Sequence, residues 1–285
     1  MSATQTALGA DWLGACRRAV GAMTDLFAAT PETARRAEYT GSRGEGGDQT
    51  LRIDADAESA VFAQLQALYE QGARFQALSE ERGRIDFGGV DVHVIIDPID
   101  GSLNAKRDAC HYSLSLAVAD GETMGDVAFG FVHDFGAGEQ WWAQRGEGAW
   151  RATADGALRL DPTAGERRSR DGLLELVGIE SADPRWLKAS VDSLVTCTHR
   201  LRALGTIAVT LCQVAAARYD GMLTLRRCRG VDAAAGQLIV REAGGLVSFV
   251  QFDDPLSAPL DATPSSHLVA ARSPEALAQL TGVLS

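Results

Sequence analysis

The sequence predicts a layered α/β protein, and three observations carry that reading. Apolar residues recur at helical spacing over residues 6–29 and 54–71. The middle of the chain changes to a two-residue alternation, and the last third alternates strand-like with helix-like segments. Helices followed by an antiparallel meander and then by β-α-β units fit one class, an α/β (α+β) layer structure.

The elements follow in order. Residues 6–29 place Leu8, Trp12, Leu13, Cys16, Val20, Met23, Leu26 and Phe27 at helical spacing, and Pro31 ends the run. Residues 40–49, TGSRGEGGDQ, hold four glycines and no large apolar side chain, which predicts a mobile surface loop. We expect residues 41–47 to order when ligands bind. A second helix is predicted over 54–71. Strands are predicted at 74–78, 91–96, 112–119, 124–132, 140–143 and 148–151, forming the meander. Beyond it, strands at 173–177, 200–204, 222–225, 246–250 and 268–271 alternate with helices at 184–194, 206–217, 231–243 and 274–284. Gly244-Gly245 supplies a helix C-cap. The division expected is an N-terminal part over 1–172 carrying most of the acidic motifs and a C-terminal part over 173–285 completing the site.

Composition narrows the function classes. The 285 residues are 46% hydrophobic and 23% charged, enough apolar material for a sizeable core. Net charge is −11, so no basic face for a nucleic acid polymer or an anionic membrane is expected. No apolar run is long enough to span a bilayer, and the N-terminus lacks signal-peptide character. Five widely spaced cysteines without a CxxC pair suit free thiols in a reducing cytoplasm. There is no GxxxxGK[ST], no HExxH and no GxSxG.

The chemistry is concentrated in carboxylates. In VHVIIDPIDGSLN an apolar strand delivers Asp97 at its end, Pro98 forces a turn, and Asp100 follows three residues later. Gly101 permits a tight backbone, and Ser102 opens a helix. Two acids beside exposed N–H groups can serve a hard cation and an oxyanion. An Asp-rich turn with an N-cap is the plain alternative. Glu80 in LSEE follows a strand and can converge on the same point. Asp232 begins the helix of RGVDAAAGQLIVREAGG, whose Ala233, Ala234, Ala235 and Gly236 allow close backbone approach. Asp48 and Asp54 follow the glycine-rich loop. A solvated loop for Glu80, a helix-start acid for Asp232 and a cap for Asp54 are the structural alternatives.

SEE, then IIDPIDGS, then GVDAAAGQLIVREAGG resemble the three-part signature of the inositol monophosphatase family. The resemblance extends from GGDQTLRID to the last strand and leans toward the dual inositol monophosphatase/fructose-1,6-bisphosphatase branch. It implies a layered α-β-α-β-α sandwich, a homodimer and a Mg²⁺-dependent phosphatase acting on a small phosphorylated metabolite. By motif, Glu80, Asp97 and the Ile99 carbonyl would hold one Mg²⁺; Asp97, Asp100 and Asp232 a second; Asp54 would assist a third, with Mn²⁺ as a substitute. Gly101 and Ser102 N–H groups would bind phosphate, and the Ser102 hydroxyl with Asp54 would orient the water, alongside Glu80. The resemblance leaves open a 3′-phosphoadenosine 5′-phosphate nucleotidase, a pathway-dedicated phosphatase, or a catalytically silent binding member. Two departures bear on the leaving group. AKRDACHYS, with Lys106 and Arg107, follows DGSLN, and Val231 stands where the family has Trp. Arg226, Arg227 and Arg229 precede Asp232 and are candidates for a remote phosphate. Continued strand alternation would put Arg227 and Arg229 on one face.

Overall fold

In the computed structural model, residues 2–36, 38–43, 49–153 and 156–284 are described. The N-terminal helices are α1 (Ala3–Leu8), α2 (Trp12–Ala29), α3 (Thr33–Arg36) and, beyond a β1 (Tyr39–Arg43)–β2 (Gln49–Leu51) ribbon, α4 (Arg52–Glu70). The single helix expected over 6–29 is therefore two. Gly9 closes α1, and the Asp11 side chain accepts the Gly14 N–H (2.9 Å) to start α2 afresh. The glycine-rich loop is flanked by the paired β1 and β2. Residues 44–48, with Asp48 and the centre of the expected ordering, lie outside the described residues.

A seven-stranded sheet follows: β3 (Phe75–Ser79), β4 (Gly83–Asp100), then, after the short α5 (Ser102–Ala105), β5 (Ser113–Ala119), β6 (Val127–Asp134), β7 (Glu139–Gln144), β8 (Gly148–Thr153) and β9 (Gly156–Arg159). Strand order is sequential, and from β4 to β9 the pairing is antiparallel, so that part of the meander is as expected. Two parts were not foreseen. β4 wraps β3: its first arm runs antiparallel, with Phe75 opposite Phe87, and its second parallel, with Ser79 opposite Ile96. β9 is exposed along its length, so it carries no apolar alternation to announce it.

The C-terminal third contains β10 (Val177–Glu180), α6 (Pro184–Cys197), β11 (Leu201–Arg202), α7 (Ile207–Ala215), β12 (Gly221–Thr224), α8 (Gly230–Glu242), β13 (Leu246–Phe249), β14 (Leu268–Ala271) and α9 (Pro274–Gly282). The strands form a five-stranded sheet in the order β11-β10-β12-β14-β13, parallel across the first three and antiparallel beyond. The strand expected at 173–177 begins only at Val177. The Asp220 carboxylate takes the Leu176 N–H (2.7 Å), so the preceding residues have no regular ladder.

Three apolar clusters define the layers. Trp12, Phe27, Phe62 and Leu65 pack from the first helices onto Phe75, Ile96 and Phe131 of the large sheet. Val209, Leu211, Ala234 and Ile239 of α7 and α8 fill the space between Val132 and Trp141 on one sheet and Met222 and Leu268 on the other. Leu194 and Leu280, from α6 and α9, cover Val177, Leu223 and Val269 on the outer face. The result is the α-β-α-β-α sandwich. Every residue of α8 from Gly230 to Val240 is buried, as a helix clamped between two sheets requires. A Cβ on Gly130 of β6 would lie 2.7 Å from the Ala235 carbonyl oxygen, so α8 seats there only on glycine. All five cysteines are free, four of them buried. Among the described residues no helix is long and apolar enough to cross a membrane.

Candidate active site

β4 leaves the core apolar through Val94, Ile95 and Ile96, all buried, and then presents Asp97 and Asp100. In a regular strand residues three apart face opposite sides. Here Asp97 pairs with Ser115 and Asp100 with Ser113, so three steps on β4 match two on β5. That bulge carries one extra residue past Pro98 and Ile99 and returns both aspartates to one face. The Ile99 N–H donates to Asp97 Oδ1 (3.0 Å), locking the turn.

Two other elements complete the cluster. Glu80 follows the end of β3, and Asp232 lies in the first turn of α8. Oxygens of Glu80, Asp97 and Asp232 all lie within 4.8 Å of one another. Asp97 and Asp232 are only 1% and 6% exposed. Asp100 lies beside them but is engaged elsewhere. Its Oδ2 accepts the Thr206 hydroxyl (2.5 Å) and the Ala208 N–H (2.7 Å) at the start of α7. Thr206 also caps that helix through Val209, so α7 aims its positive end at Asp100.

The electrostatics show crowding. Burial, then repulsion from Glu80, Asp100 and Asp232, raises Asp97 well above the usual carboxylate range. Burial and Asp232 push Asp100 up to about 8, against the hydrogen bonds from Thr206 and Ala208. Glu80 is pushed up to about 7, by burial first and then Asp232, although Arg229 opposes it. An acid whose folded pKa is raised stabilises the protein below its ordinary range and loses that contribution as pH climbs through the folded value. In EDTA the melting temperature is therefore expected to fall between about pH 5 and pH 8. A divalent cation should restore it at the upper end. A flat or rising profile in EDTA would contradict the clustering.

Chemically, the donors are oxygens throughout: three converging carboxylates, a fourth beside them, and the Ile99 carbonyl in the same turn. Buried, mutually repelling carboxylates fit a hard divalent cation, whose charge relieves the strain that raises their pKa values.

Around the cluster the expected residues sort differently. Gly101 is left-handed, φ +95°. The Ser102 hydroxyl donates to the Ile99 carbonyl (3.0 Å), an i to i−3 contact set by the tight turn. Asp54 is buried in the first turn of α4 and is not one of the three converging carboxylates. The shared face expected for Arg227 and Arg229 is not formed, because β12 ends at Thr224 and the extended run stops short of them. Arg226 and Arg227 are exposed, and Arg226 lies over the Trp186 ring, 6.0 Å from its centroid. Arg229 turns inward instead. Its Nη2 meets Asp232 Oδ1 at 2.9 Å and its Nη1 bonds Glu80 Oε1.

Sequence reasoning missed the supports. Asn104 Nδ2 donates to the carbonyls of His111 (2.9 Å) and Leu204 (2.8 Å), tying the Gly101 turn to two loops. Glu180 ends β10 and accepts the Leu204 and Gly205 N–H groups and the Thr210 hydroxyl. Burial pushes it up to about 7 despite those bonds. The departed segment after Asn104 is thus anchored to the turn through His111, whose Nδ1 pairs with the buried Asp134 (2.8 Å). A polar residue closing a buried strand, as in VGIE, is the signal that could have found Glu180.

Comparison with known proteins agrees with this arrangement. The inositol monophosphatase family profile matches residues 13–282. A fructose-1,6-bisphosphatase/inositol-1-monophosphatase of Methanothermobacter thermautotrophicus is 34% identical over 220 residues, covering 72% of each chain. The Nus factor SuhB of Escherichia coli is 30% identical over 234 residues, covering 81% of this chain and 82% of that one. A solved structure described as an inositol monophosphatase-fructose 1,6 bisphosphatase superposes with a TM-score of 0.79 at 22% identity, over 96% of this chain and 100% of that one. With the signature motifs, the five layers and a match over nearly the whole chain in agreement, this chain belongs to the inositol monophosphatase family.

Proposed function

We propose that the protein hydrolyses a small phosphate monoester with Mg²⁺, inositol monophosphate and fructose 1,6-bisphosphate being the preferred substrates. The single observation that carries this reading is the convergence of Glu80, Asp97 and Asp232 from three separate elements. Glu80, Asp97 and the Ile99 carbonyl would hold one ion, and Asp97, Asp100 and Asp232 a second, with Asp54 near a weaker third. Such ions supply charge neutralisation for the ester and lower the pKa of the attacking water.

The chain's own groups do the rest. Gly101 and Ser102 direct backbone N–H groups at the phosphate from the start of α5, where helix donors are unsatisfied. Ser102, Asp54 and Glu80 orient the water. Thr206 and Ala208 fix one oxygen of Asp100. Asn104 and Glu180 hold the surrounding loops, so that the phosphate-binding turn is pre-positioned. The resemblance also supports a homodimer, and the free cysteines suit a reducing cytoplasm; light scattering on the purified chain checks the first.

A panel of inositol monophosphates, fructose 1,6-bisphosphate and 3′-phosphoadenosine 5′-phosphate, assayed for phosphate release with Mg²⁺, tests the reading. Release from the first two above the third is expected. Preference for the nucleotide would move the protein to the nucleotidase alternative. A binding role is the second reading, favoured by the name Nus factor SuhB that a relative carries. It would gain if no ester were hydrolysed while the carboxylate cluster still bound metal.

A further inference from the structure

The Arg229 side chain enters the cluster that the proposed function assigns to metal. It caps α8 three residues ahead of Asp232, so a guanidinium of ordinary reach can turn back onto that carboxylate. Nη2 and Nε approach Asp232 Oδ1 at 2.9 and 3.1 Å, and the Arg229 N–H donates to Asp232 Oδ2 at 3.1 Å. Nη1 meanwhile bonds Glu80 Oε1. One guanidinium therefore spans two of the three converging carboxylates, and its side chain is 19% exposed. It thus stands on two of the carboxylates that the proposed site gives to the metal.

We infer that Arg229 is a tethered counter-cation of the metal site: it holds Glu80 and Asp232 together when no metal is bound and must leave Glu80 when one is. Arginine cannot surrender its proton in a protein, so the conflict with a metal resolves only by movement. Its four-bond stem and partly open position allow that movement, and Asp232 can retain the backbone N–H while the guanidinium swings away. The residue thereby lowers metal affinity while offsetting the repulsion between the two acids. The inference rests on the metal-site reading of the proposed function.

The test is direct metal binding, by calorimetry with Mg²⁺ and by the electron paramagnetic resonance of free Mn²⁺. Arg229→Gln removes the charge and should bind either ion about 10- to 100-fold more tightly, the scale of one charge-assisted contact no longer displaced. In EDTA the same variant should melt below the wild type, and saturating Mg²⁺ should close the gap. Arg229→Lys keeps a charge that cannot bridge both acids and should fall between. Unchanged or weaker binding by both variants would overturn the inference, as would a crystal structure of the Mg²⁺-loaded wild type with Arg229 still on Glu80. That last measurement holds even if Arg229→Gln fails to fold. Failure of the wild type to bind either ion would instead remove the metal-site reading itself.

Discussion

Asp97→Asn is expected to lower phosphate release at least about a thousandfold, the loss that follows when charge stabilisation at a metal-dependent phosphoryl site is removed. Asp97 is acted on by Glu80, Asp100 and Asp232 together, and in the proposed site it is the ligand that two ions would share. Asparagine keeps the shape and can still accept the Ile99 N–H that Asp97 Oδ1 holds at 3.0 Å. The fold should therefore survive. Loss of one buried, repelled charge should even raise the melting temperature in EDTA. Activity down and chelated stability up is the signature. A variant retaining a tenth of wild-type turnover would mean that the site is assigned wrongly.

Gly101→Ala is the second large effect. At φ +95° an alanine costs about 1–2 kcal/mol in backbone strain. Its Cβ would also lie 3.1 Å from the carbonyl oxygens of both Gly205 and His111. Those carbonyls belong to loops fixed by Glu180, Asn104 and the His111–Asp134 pair, so they yield little. The turn itself must shift, and a displacement of about 1 Å at a phosphate-binding turn is worth roughly a hundredfold in rate. Steady-state kinetics with a melting curve check this. Wild-type kcat and KM in a folded Gly101→Ala protein would show that the turn does not position the phosphate.

Much of this was legible in the chain itself. IIDPIDGS shows its strand end and its two acids because an apolar run stops abruptly at charge. GVDAAAG shows a helix that another backbone must approach, and Gly130 against Ala235 is where that happens. The meander and the later β-α-β pattern follow from periodicity. What escaped had no local signal. Parity along β4 depends on a bulge measured against β5, which spacing alone does not report. The first arm of β4 hides in RIDFGG, where Arg84 and Asp86 alternate with Ile85 and Phe87 for only four residues before two glycines. The direction of Arg229 depends on where β12 stops, and that stop lies at Thr224 rather than beyond the arginines. Glu180 and Asn104 act through loops far away in sequence, so their partners could not be named before the fold was known.

The central claim is that the converging carboxylates form a divalent-metal site driving phosphate release. The most direct measurement is a Mg²⁺ titration of phosphate release from inositol monophosphate and fructose 1,6-bisphosphate, using protein first stripped with EDTA and freed of chelator. The account predicts no release without the ion, a saturable return as Mg²⁺ is added, and no return in Asp97→Asn. Release that persists in stripped protein, or that responds to Mg²⁺ equally in Asp97→Asn, would contradict it.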